Sequence, residues 1–184
     1  MRNYIYLIIS LFVFSNVFSQ DSFETNLKTT YGIKAGLNAL AVKVVNENQD
    51  NVQRESGVYV GAFVNIPTSE SFSIQPEINY ASGKYTFNDN INLLHIPVLL
   101  KLDAGNSLSA FIGPEAVLLL SLDDPEKNKF NKFMFGFTFG LAYNFTDSFS
   151  IEIRPYYSLT RFLDDGPGIY RKYNTLQVGL AYKL

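Results

Sequence analysis

The chain has 184 residues, no Cys, and 15 Lys and Arg against 17 Asp and Glu, a formal net charge of -2. With no basic excess to neutralise phosphates, nucleic acid is not an expected partner. Without Cys there are no disulfides, no thiol catalysis and no cysteine metal site.

Residues 1–19 read as a secretory signal. Arg2 stands beside the amino terminus, an apolar stretch runs over residues 4–14, and Val17, Phe18 and Ser19 form a short exit. The cut is expected after Ser19. An uncleaved anchor is the alternative, but the apolar run falls short of the ~20 residues that a spanning helix needs. Cleavage removes one charge, Arg2, and leaves 14 basic against 17 acidic side chains. Residues 20–30 form a short periplasmic segment, too short to fold alone. No later segment approaches a spanning helix, so if the mature chain enters a membrane, only a closed barrel satisfies its backbone.

From there on, the sequence alternates apolar with small or polar residues at the two-residue period of strands. Eight strands are predicted, over 31–44, 57–66, 71–80, 93–102, 108–120, 133–145, 149–160 and 175–184. The sixth is the clearest. Phe133, Phe135, Phe137, Phe139, Leu141, Tyr143 and Phe145 share one face, and Met134, Gly136, Thr138, Gly140, Ala142 and Asn144 share the other. The connections alternate in length: 67–70, 103–106 and 146–148 are short, whereas 45–56, 81–92, 121–132 and 161–174 are long. Periplasmic turns and outer loops produce that alternation, and it puts both termini on the periplasmic side. Aromatics near strand ends fit two interfacial girdles: Tyr31, Phe72, Tyr143, Phe145, Phe149 and Tyr182 below, Phe133 and Tyr157 above. The fold expected is an all-β, eight-stranded antiparallel up-and-down transmembrane β-barrel over residues 31–184, forming the whole mature product. A soluble barrel with the Phe series lining a ligand cavity is the competing arrangement.

Lys34, Glu77, Lys101, Glu115, Glu152, Arg154 and Lys183 all fall at the parity opposite the apolar series of their strands. In a membrane barrel that parity faces the lumen, and an eight-stranded lumen is filled by side chains. Buried charges survive when paired, so Glu77, Glu115 and Glu152 are expected to pair with Lys34, Lys101, Arg154 and Lys183. Lys34 and Lys183 should be neighbours across the closure. These seven residues form a structural network; no catalytic, cofactor or metal residue is assigned. A proton or ion path is the functional alternative for them. His95 is the only histidine and the sole candidate for imidazole chemistry. Its parity is inward, whereas a lipid-modifying centre must reach the bilayer. Asp123, Asp124, Glu126, Asp164 and Asp165 lie in outer loops, where they are either solvated or bridge divalent cations to lipopolysaccharide phosphates. Asn144, Phe145 and Thr146 read as turn chemistry.

The phrases YGIKAGLN, GVYVGAFVNIP, SFSIQPEINYASG, LLHIPVLLKL, FIGPEAVLLLS and the closing LQVGLAYKL span nearly the whole mature chain. With Gln75, Pro76 and Glu77, with Ile96 and Pro97, and with Gly113 and Pro114, they resemble the PorT-type outer-membrane β-barrel family of Bacteroidota. The resemblance implies an eight-stranded outer-membrane barrel. It also implies that some relatives serve gliding and type IX secretion. Leu184 departs from the terminal aromatic common in such barrels. The function expected is that of a non-enzymatic outer-membrane barrel with a structural or loop-mediated role. The alternatives are an accessory component of a secretion or gliding apparatus and a lipid-modifying enzyme. Expected partners are outer-membrane lipids and lipopolysaccharide, the barrel-assembly machinery during biogenesis, and an envelope protein met through the outer loops; no cofactor is expected.

Overall fold

The structure, a computed structural model, describes residues 27–45, 51–85, 89–105, 107–123, 129–166 and 169–184. The expected signal peptide, and all but the last four residues of the segment 20–30, lie outside them. Nine strands form one sheet: β1 (Thr30–Val45), β2 (Asn51–Pro67), β3 (Phe72–Lys84), β4 (Asn90–Ala104), β5 (Leu108–Leu122), β6 (Phe133–Asn144), β7 (Phe149–Ser158), β8 (Leu163–Gly166) and β9 (Ile169–Lys183). The long strands pair antiparallel in the order β1-β2-β3-β4-β5-β6-β7-β9, and β1 pairs with β9 to close an eight-stranded barrel. Short β8 is an extra strand that hairpins onto the outer end of β9.

Parity sorts the side chains as the sequence requires. Phe135, Phe137, Phe139 and Leu141 of β6 point outward and are exposed, while Met134, Thr138 and Ala142 are buried. The same holds around the wall, where Ile33, Leu37, Val58, Val60, Ile78, Val98, Leu100, Ile112, Ile153 and Leu180 are all exposed. An apolar belt of this extent is untenable in water and is what a lipid-facing surface demands. The soluble arrangement, with the Phe series turned inward, is therefore overturned.

The strands run further than the alternation indicated. β2 begins at Asn51, and Val52 to Ser56 continue the ladder opposite Lys43 to Ala39. β9 begins at Ile169, inside the connection expected over 161–174, which also contains β8. The cause is solvent. Once a strand leaves the bilayer its outward positions no longer need to be apolar, so Arg54 and Ser56 break the pattern without breaking the hydrogen bonds. The turns expected on the periplasmic side remain short, and in one of them Gly105 takes a φ of 72°, which glycine adopts at no steric cost.

The outer half of the interior also differs from the expected charge-filled lumen. Leu40, Val42, Leu93, Val117, Met134 and Tyr173 point inward and pack into a buried apolar core. Phe130 and Phe162, from the connections before β6 and after β7, close over it with Tyr85. The ring centroids of Phe130 and Phe162 lie 5.0 Å apart, and those of Tyr85 and Phe130 lie 5.6 Å apart. The void left among Asn38, Leu40, Leu93 and Tyr173 is only about 10 Å³, at the lower limit for one water.

At the closure, Gly36 faces Gly179 across the β1–β9 ladder, and the buried Tyr59 ring lies over the pair. A methyl group added at Gly179 would collide with the Tyr59 hydroxyl. Gly179→Ala is expected to cost about 1–3 kcal/mol through overpacking, read as a lower urea midpoint for the heat-modifiable band on a cold denaturing gel; an unchanged midpoint would show that Tyr59 does not need the glycine.

Candidate functional site

The lumen narrows at a group of four charges. Lys34 comes from β1, Glu77 from β3, and Glu152 and Arg154 from β7, each at an inward position of its strand. Lys34 Nζ donates to Glu77 Oε1 at 2.8 Å and to Glu152 Oε2 at 3.0 Å. Arg154 Nη1 donates to Glu77 Oε2 at 2.7 Å. Arg154 Nε stands 3.6 Å from Glu152 Oε2, an ionic contact too long for a hydrogen bond. The four side chains are 0–4 % exposed. Two acids and two bases cancel, so no net charge is buried.

Neutral side chains complete the group. Gln75 Nε2 donates to Glu77 Oε1 at 2.7 Å, and Asn79 Nδ2 donates to Glu77 Oε2 at 2.9 Å. Glu77 thus accepts four hydrogen bonds, filling the capacity of a carboxylate. Gln177 Oε1 accepts from Arg154 Nη2 at 3.1 Å, and the Lys34 ammonium lies 5.0 Å from the centre of the Phe63 ring. Removing two charges from water is costly, and their attraction offsets that cost only when the remaining lone pairs and protons are also used. For Glu77 the strand register supplies those partners, since Gln75, Glu77 and Asn79 follow each other on the inward face of β3, whereas Arg154 Nε and Gln177 Nε2 are buried without a hydrogen bond.

The other three residues expected in the network go elsewhere. Glu115 meets none of the strand bases; its Oε1 lies 2.5 Å from His95 Nδ1. The β4–β5 register sets His95 opposite Val117 and Pro97 opposite Glu115, which makes the histidine and the acid diagonal neighbours. His95 is fully buried, with Tyr173 Oη 3.4 Å from its Nε2 and the Tyr156 ring beside it. Lys101 pairs with Asp103, 2.8 Å away and two residues on along the same face. Lys183 lies diagonally across the closure from Lys34, since Gly32 opposes Lys183 and Lys34 opposes Ala181. Among the described residues Lys183 makes no ion pair; with Lys101 and Glu152 it lines a cavity of about 150 Å³ at the periplasmic mouth.

Two partners, His95 for Glu115 and Asp103 for Lys101, were missed by the sequence reading. Both signals were present: Asp103 repeats the parity of Lys101, and His95 and Glu115 are inward residues of consecutive strands. Among the described residues no three carboxylate or imidazole groups converge to hold a metal ion. Of the acidic loop residues, Asp124 and Glu126 lie outside the described residues. Asp123 is exposed and accepts from Asn90 Nδ2 at 2.9 Å.

A closed antiparallel barrel with an apolar exterior and its buried charges paired inside the lumen defines a membrane-spanning barrel protein. The family model for the outer membrane protein beta-barrel domain matches residues 18–164, and the chain belongs to that family, so its place is the outer membrane. Among solved structures it is similar to Ail, the attachment invasion locus protein of Yersinia pestis. The identity is 12 %, the match covers 84 % of this chain and 99 % of Ail, and the TM-score is 0.51. It is similar also to Neisserial surface protein A, at 12 % identity, 85 % and 99 % coverage and a TM-score of 0.54. At such identity the likeness is one of fold. No curated protein matches the chain.

The charge cluster makes a graded demand on stability. Glu77→Gln keeps the shape but leaves Lys34 and Arg154 short of an anion, and is expected to cost about 3–5 kcal/mol, as for breaking a buried ion pair. Lys101→Ala, at the wet mouth, is expected to cost about 1 kcal/mol or less. Urea unfolding of the two variants in detergent micelles checks this, and equal losses would show that the cluster is no more structural than the mouth.

Proposed function

We propose that this protein is a non-enzymatic, non-conducting outer-membrane barrel, a rigid scaffold that carries its outer loops and strand extensions to partners at the cell surface. The observation that carries this reading is the buried cluster of Lys34, Glu77, Glu152 and Arg154, which ends the periplasmic cavity, with the apolar core and its Phe130–Phe162 lid above it. An ion entering from the periplasm would have to break two or more charge-assisted bonds and then cross a dry aromatic layer. A lumen so filled supports a structural role over transport.

The reading includes export by a signal peptide cut after Ser19, and assignment to the PorT-type barrels through Gln75-Pro76-Glu77, Ile96-Pro97 and Gly113-Pro114. It also includes the barrel-assembly machinery as a partner during biogenesis and an envelope protein as a partner of the outer loops. A place in a type IX secretion or gliding apparatus rests on the family resemblance alone. The lipid-modifying alternative is disfavoured because His95, its only imidazole, is sealed in the lumen, where bilayer lipid has no access.

In planar bilayers the purified barrel is expected to give no stable openings, and large steady steps would sink the plugged-lumen reading. His95→Ala is expected to leave the lipid A profile of the host membrane unchanged by mass spectrometry, whereas loss of a modified lipid species would revive the enzyme.

A further inference from the structure

The periplasmic mouth of the lumen holds more positive charge than its own acids balance. The cavity of about 150 Å³ there is lined by Lys28, just before β1, by Lys101 of β4 and by Lys183 of β9, against two acids, Asp103 and Glu152. Both acids are already engaged. Asp103 Oδ1 lies 2.8 Å from Lys101 Nζ, and Glu152 lies against Lys34 and Arg154 in the buried cluster. Among the described residues Lys28 and Lys183 have neither an ion pair nor a hydrogen-bond partner. Lys183 is half-buried, so its ammonium gives up part of its hydration with no protein anion in exchange. Both lysines belong to the seam side of the mouth: Lys183 opposes Gly32 in the β1–β9 ladder, and Lys28 precedes Gly32 by four residues.

The rest of the wall offers hydrogen-bond acceptors, and the charge cluster above decides which way they face. Gln75 gives its Nε2 to Glu77 Oε1 and so presents its Oε1 to Asn65. Asn65 must answer with its Nδ2, which also donates to Ser73 Oγ at 2.7 Å, and its own oxygen is left for another donor. Asn144 Nδ2 likewise donates to Ser109 Oγ at 3.3 Å. Among the described residues the side-chain oxygens of Asn65, Asn144 and Ser150 accept no hydrogen bond, and all three residues line the cavity.

Two unpaired ammonium groups beside free acceptors describe the ligand. A carboxylate offers two oxygens to two cations in charge-assisted bonds, and a peptide carries N–H donors next to its terminal carboxylate. An inorganic anion has the charge without those donors. The cavity is also far smaller than the ~300–1,000 Å³ of a pocket for a drug-sized ligand, so it suits a chain end. We propose that the mouth binds the carboxylate end of a periplasmic peptide, with Lys28 and Lys183 on the carboxylate and Asn65, Asn144 and Ser150 accepting from the N–H groups behind it. The site rests on the scaffold reading, in which the short connections face the periplasm and the filled lumen makes the mouth a blind pocket.

The test uses the full mature chain, isotopically labelled and folded in zwitterionic micelles, titrated with N-acetyl-dialanine, with its C-terminal amide and with inorganic phosphate. The free acid is expected to shift the amide resonances of Ser150 and Lys183, and to bind about tenfold more tightly than the amide or phosphate. Lys183→Gln is expected to weaken the acid about fivefold and K28Q/K183Q to abolish its advantage over the amide. Lys172→Gln, at the outer end of β9, is expected to leave binding unchanged. If the double variant fails to fold, Lys183→Gln alone decides. Equal binding of acid and amide, phosphate bound as tightly as the acid, or parental affinity in Lys183→Gln would each overturn the site. Such a result in a barrel that gives no openings in planar bilayers leaves the scaffold reading standing, whereas stable openings would overturn that reading whatever the peptide does.

Discussion

Hydrocarbon offers no hydrogen bonds, and every other feature of this protein is arranged around that fact. Each backbone N–H and C=O in the bilayer must find its partner within the sheet, because an orphaned group costs several kcal/mol. The pairing of β1 with β9 removes the last open edge. Closure then fixes parity all round the wall, and parity decides which side chains meet lipid and which must share a narrow lumen. The glycine pair under Tyr59 shows how tight this is: at the seam a ring from a third strand takes the space that two side chains would have used.

Inside, polarity changes with height. The periplasmic mouth is wet, with Lys101 paired to Asp103 around a small cavity. Above it, four charges neutralise one another, and above those His95 and Glu115 form a separate buried pair. The outer third is aromatic and aliphatic. Each layer is held differently, by solvation, by charge pairing or by packing, and the buried polar atoms without a hydrogen bond, among them Arg154 Nε, Gln177 Nε2 and Tyr156 Oη, lie within or just above the charged layer.

Outside, the gradient runs the other way, from an apolar belt to strand ends that are free to be polar. Because β1, β2 and β9 continue past the belt, the ladder itself carries charged outward residues such as Lys43, Arg54 and Lys172 beyond it. The two halves of the design are connected through the same strands: Lys34 and Lys43 belong to β1, one facing the lumen and the other the membrane edge.

The sequence by itself determined the fold class, the eight membrane strands and the placing of all seven singled-out charges at the parity opposite the apolar series, because a bilayer imposes a two-residue period that any reader can count. It left open which parity faced lipid, and it did not determine where the strands ended, since alternation fades when solvent replaces lipid, as at Arg54 and Ser56. Nor did it show the apolar outer core: Leu93 and Val117 sit in the runs LLHIPVLL and EAVLLLS, where both faces are apolar and parity carries no contrast. The pairing of the interior charges was decided only by tertiary structure. Register brings Glu77 to Lys34 and Arg154 and sends Glu115 to His95, and the distances across a lumen depend on how eight strands are staggered in closing, a quantity no single strand contains.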